Sequence, residues 1–62
     1  MSIVYVAADQ ITRGETVNIG FTDWTVVQTE TCEGRTTMFL EAGTADDIVS
    51  FPQWYTMRVV CE

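Results

Sequence analysis

The sequence predicts one small all-β domain, rolled into a barrel, and three features point there. The residues between 15 and 21 alternate strictly in polarity. Several other short runs are rich in Val, Thr, Ile and aromatic side chains, and these runs are punctuated at close intervals by glycine and acidic turn residues. The chain of 62 residues makes a single domain spanning 1–62. At that length folding hides only about 60% of the surface the unfolded chain exposes, so the core must be thin. An apolar content of 47% with a single proline is nevertheless the profile of a folding chain.

The first strand is expected over Ile3–Ala7, which is β-branched and aromatic. A loop follows over Ala8–Gly14, with Ile11 tucked inward. Glu15–Phe21 forms the second strand, with Val17, Ile19 and Phe21 on one face and Thr16, Asn18 and Gly20 on the other. Thr22-Asp23 is expected to reverse the chain into a third strand, Trp24–Thr31. Cys32–Arg35 reverses it again, with Gly34 free to take positive φ, into a fourth strand over Thr36–Ala42. Gly43–Ile48 breaks the pattern. Thr44 and Asp47 imitate a capping box that Pro52 would soon stop, so a turn or one 3₁₀ turn is expected there. The last strand runs from about Trp54 to Val60.

Five strands in an open sheet would leave faces and edges uncovered, which a closed barrel avoids. The short loops, and the lack of a helix between the third and fourth strands, favour an SH3-like five-stranded barrel, with an OB-like barrel as runner-up. The run Val6–Val17, then Trp24-Thr25-Val26-Val27, then Met57-Arg58-Val59-Val60, resembles small SH3-like barrel proteins of actinobacterial bacteriophages. In those, a glycine-acidic turn opens the second strand and Trp-x-Val opens the third. The resemblance implies the fold and a phage or prophage origin, and no site residues.

The inventory of side chains argues against catalysis. Without His, the commonest general base, His-based triads and most zinc sites are missing. There is no Lys for a Schiff base and no glycine-rich phosphate loop. Cys32 and Cys61 form no CxxC motif; reduced thiols are the default, with a disulfide between them as the alternative. Asp46-Asp47, with Glu41 nearby, lacks the spacing of an EF-hand. No catalytic residue, metal or cofactor is therefore expected.

Nine acidic residues face three arginines, a formal charge of −6. Arg13, Arg35 and Arg58 lie in separate segments, so direct nucleic-acid binding and an anionic membrane surface are both disfavoured. With no signal peptide and no long apolar run, the expected place is the cytoplasm, of a bacterial host if the protein is phage-encoded.

Two features point to a protein partner. Tyr5, Trp24, Trp54 and Tyr55 either plug the ends of the barrel or line a groove, flanked by Asp9, Glu15 and Asp23, for proline-rich or basic peptides. Ile3–Val6, Val26-Val27, Met38–Leu40 and Val59–Cys61 are apolar on both parities, more than a lone barrel can hide. The expectation is a non-catalytic protein-interaction module that binds a host protein or itself, with a homodimer through edge strands as one form. The alternatives are an acidic mimic of nucleic acid that blocks a DNA-binding protein, and a structural or assembly component of a virion.

Overall fold

Six antiparallel strands make one sheet in the computed structural model, which describes residues 2–61. In chain order they are β1 (Ser2–Ala7), β2 (Thr16–Ile19), β3 (Thr22–Cys32), β4 (Arg35–Ala42), β5 (Ala45–Pro52) and β6 (Thr56–Cys61), with one 3₁₀ turn at Ala8–Gln10. Their order across the sheet is β1-β6-β2-β3-β4-β5. The domain is small, all-β and barrel-like, with six strands instead of the five expected.

The additional strand is β5. Gly43, at φ +63°, and Thr44 form a two-residue turn, so Ala42 pairs with Ala45 and Glu41 with Asp46. A capping motif there never acts, because the tight hairpin places Asp46 and Asp47 inside a strand. Pro52 ends that strand, where its missing N–H costs no ladder bond on the free side of an edge.

The β2–β3 reversal also differs from expectation. The turn residues are Gly20 and Phe21, both at positive φ (59° and 68°), and Ile19 pairs with Thr22. Positive φ at both central positions is the type I′ geometry that matches the twist of a hairpin. Phe21, expected on the inward face of β2, is therefore thrown out of the strand and is 99% exposed. Glu33 and Gly34 (φ 53° and 80°) repeat the device between β3 and β4.

β3 is what curls the sheet. Its first residues pair with β2, while from Thr25 onward it pairs with β4. Between Val26 and Gln28 the register shifts, so Val27 is an extra residue that bends the strand. The bulge also accounts for one two-sided apolar run: Val26 is buried and Val27 faces out.

The same division explains the others. Val4 and Val6 lie opposite Val59 and Met57 on the inner face, leaving Ile3 and Tyr5 outside with Val60 and Arg58. Met38 and Leu40 point in and Phe39 out, across from Ile48. The core is Ala8, Ile11, Val17, Val26, Met38, Leu40, Met57 and Val59, with Trp24, Val49 and Phe51 packed against it. Each fully buried Val, Ile, Leu or Met among them contributes roughly 1.5–3 kcal/mol. Thr36 is the buried polar residue of the set, and its hydroxyl lies 2.8 Å from that of Thr31.

β1 and β5 do not pair with each other. The gap between them is bridged at one end by the 3₁₀ turn, where Ala8 N–H donates to Tyr55 O (2.8 Å) and Asp9 N–H to Gln53 O (3.3 Å). On the other flank, Gly14 N–H donates to Val26 O and Val26 N–H to Glu15 O, fastening the first loop to β3. Ile11 is buried, as its place in that loop suggested.

Candidate functional site

An open cleft of about 480 Å³ is lined by Tyr5, Asn18, Ile19, Gly20, Phe21, Phe51, Tyr55, Thr56, Met57 and Arg58, with Tyr5, Asn18 and Arg58 on the outer parity of their strands and Ile19, Phe51 and Met57 on the inner. Its parts come from four places in the chain that the topology makes neighbours. Register sets a row across the strands: Tyr5 of β1 stands opposite Arg58 of β6, Arg58 opposite Asn18 of β2, and Asn18 opposite Asp23 of β3. Residues directly opposite share a face, so these side chains form one line on the outside of the barrel. The Asn18 amide donates to Asp23 Oδ1 at 2.9 Å, which holds the far end of the row.

The aromatic part of the cleft is built by two turns. In the loop after β5, Tyr55 N–H donates to Pro52 O at 2.9 Å. That turn brings Tyr55 back onto Phe51, with ring centroids 4.9 Å apart and planes within 6°. From the other side, the β2–β3 turn presents Phe21. A bulky residue at φ +68° is uncommon, and holding such a conformation costs of order 1–3 kcal/mol. A fully exposed ring recovers none of that by burial, so its placement is a cost to folding.

Of the four aromatic residues expected at a binding surface, the structure brings Tyr5 and Tyr55 into this cleft. Trp24 goes elsewhere: half-buried, opposite Val17 on the inner face, it packs against the core. Trp54 is 73% exposed at the tip of the β5–β6 turn and is not among the lining residues. It plugs no barrel end.

None of the three acids expected at a rim lines this cleft, although Asp23 stands beside it, bonded to Asn18. Among the described lining residues the one charged group is Arg58. Glu15 and Asp23 line a separate depression with Gly14, Thr16, Val59, Val60 and Cys61. Glu15 is occupied within its own loop, accepting from the backbone N–H and the hydroxyl of Thr12, each at 2.8 Å.

Phe21, Phe51, Asn18 and Arg58 are among the cleft residues that the sequence did not mark as a binding surface. Gly20 carried a usable signal, since a glycine three residues ahead of an Asp at the end of an alternating run is a turn candidate. Nothing marked Phe51, because β5 itself was not recognised.

Cys32 and Cys61 are free thiols. Among the described residues no group of three or more Cys, Asp or Glu is placed to hold a metal ion, and no helix is long and apolar enough to cross a membrane. No protein-family model, curated protein or solved structure matches this chain.

Proposed function

We propose that this protein is a non-catalytic protein-interaction module that docks an extended segment of a partner in the cleft between Tyr5, Phe21, Phe51 and Tyr55. The observation that carries the reading is Phe21, an aromatic ring held in full exposure on left-handed backbone beside three others. Exposed aromatic clusters around one charged group are the usual composition of an interaction hot spot. Flat rings set along a trough suit an extended chain, whose alternate side chains fall between them.

Charge refines the occupant. With Arg58 as the charged lining residue, the fitting segment is apolar or proline-rich and carries a carboxylate to meet the guanidinium. A basic peptide fits less well than the net charge alone suggests, because no acid lines the cleft and Asp23 beside it already accepts from Asn18. On the resemblance to phage proteins, the segment belongs to a host protein that the module modulates.

Selection from a displayed library of random peptides tests this, with the folded chain as bait and a Tyr5→Ala/Tyr55→Ala double variant as counter-selection. Enrichment of apolar segments with Asp or Glu at one fixed position is expected. Failure to enrich any segment that distinguishes the two baits overturns the reading.

A further inference from the structure

The two free edges of the sheet are built differently. β5 carries the usual protections of an exposed edge: Asp46 and Asp47 within the strand, and Pro52 at its end. Asp47 sits opposite the buried Leu40, so it lies on the inward parity, where a charge resists addition of another strand.

β1 has none of these. Ser2-Ile3-Val4-Tyr5-Val6-Ala7 contains no charge and no proline, and Ile3, Val4 and Tyr5 are 50, 43 and 68% exposed. β1 pairs with β6 alone, and among the described residues no backbone hydrogen bond reaches it from a turn or loop. Alternate residues of an edge strand direct N–H and C=O groups outward, where they bond to water or serve as a ready template for another extended strand.

We propose that β1 pairs antiparallel with β1 of a second copy, continuing the sheet through a two-fold axis into a homodimer. The axis requires that inward residues meet inward residues, and outward meet outward. The register centred on Val4 satisfies this, setting Val4 opposite the partner's Val4 and Ile3 opposite the partner's Tyr5. Neither pair brings like charges together, although each copy carries a formal charge of −6. A positively charged foreign strand has no acid on β1 to attract it, whereas the β5 edge offers two; the neutral, β-branched and aromatic composition of β1 suits itself best. Because Tyr5 also lines the aromatic cleft, pairing at β1 brings one residue of each cleft to the seam on the same face of the extended sheet. A bivalent partner would then engage both with a gain in avidity.

The dimer stands on edge chemistry, and the cleft's ability to bind peptide is a separate matter. Sedimentation equilibrium of the full chain over a wide concentration range tests it, with Ile3→Lys and Ile48→Lys as variants. Ile3 lies outside the cleft lining, and Ile48 is an equally exposed apolar residue on the opposite edge. The wild type is expected to dimerise reversibly, Ile3→Lys to weaken dimerisation by at least about tenfold, and Ile48→Lys to leave it unchanged. A wild type that stays monomeric throughout, or a dimer indifferent to Ile3→Lys, overturns the proposal. Should circular dichroism show that Ile3→Lys fails to fold, amide exchange on the wild type decides. Protection of Ile3–Val6 that rises with protein concentration supports the dimer, and protection independent of concentration contradicts it.

Discussion

Tyr55 lies flat against Phe51, centroid to centroid 4.9 Å, across a turn closed by a single backbone hydrogen bond. The pair comes from opposite ends of that turn, so the same contact that stiffens the β5–β6 connection also builds one wall of the cleft. Local structure and surface chemistry are therefore coupled at this point.

Tyr55→Ala is expected to lower stability by about 1 kcal/mol, the size of a stacked aromatic pair on a partly exposed surface. Peptide affinity is expected to fall at least about tenfold. Tyr55→Phe keeps the ring, and should retain stability and most of the affinity. Urea unfolding and titration calorimetry on the same samples separate the two effects.

Phe21 makes the opposite prediction for folding. Its ring is wholly exposed and its backbone is left-handed, so Phe21→Gly removes strain and sacrifices no burial. The variant should be more stable by about 1 kcal/mol, read as a higher urea midpoint with unchanged slope. Peptide binding should weaken in the same protein. A loss of stability would show that the ring is packed on something in solution.

Burial, and not ring size, should rank the remaining substitutions. Met38→Ala empties a fully buried site and is expected to cost about 2–5 kcal/mol. Val26→Asp puts a charge in the centre of the core, at the β3 residue that is bonded to the first loop and stands opposite Leu40 at the bulge, and should unfold the domain. Trp54→Ala, despite the larger side chain, should cost under about 1 kcal/mol, because most of the ring is already in water. Thermal unfolding of the three variants checks the order.

Glu41 and Asp46 face each other directly across β4 and β5, an unfavourable like-charge pair. Asp46→Lys converts it into an attractive one and should raise stability by about 0.2–1 kcal/mol. The gain should shrink in high salt.

The strand content was legible because alternation and β-branched runs are local signals, and Val17, Ile19, Val26 and Ile11 all lie where such reasoning places them, packed in or against the core. What escaped was set by turns. Gly20-Phe21 closes a two-residue hairpin two positions before Thr22-Asp23, the residues that looked like the reversal, and Gly43-Thr44 closes another within the first two residues of the segment that looked like a longer break, so residues assigned to a strand fall in a turn and residues assigned to a turn fall in a strand. Phe21 thus passed from an inward residue to the most exposed ring in the molecule. Asp46-Asp47 resembled a helix start because Thr-x-x-Asp is a short pattern that a hairpin satisfies equally well. The cleft was partly legible: Tyr5 within the first strand and Tyr55 near the start of the last were visible as aromatic residues, but their meeting with Arg58 depends on β6 lying between β1 and β2, a long-range pairing with no local mark.

The central claim is that the aromatic cleft is the contact surface, and amide chemical-shift mapping with a library-selected peptide tests it most directly. Perturbations confined to Asn18–Phe21, Phe51 and Tyr55–Arg58, and abolished in Tyr5→Ala/Tyr55→Ala, are expected. Perturbations centred instead on Val27, Phe39 and Ile48, on the outer face of β3–β5, would contradict it.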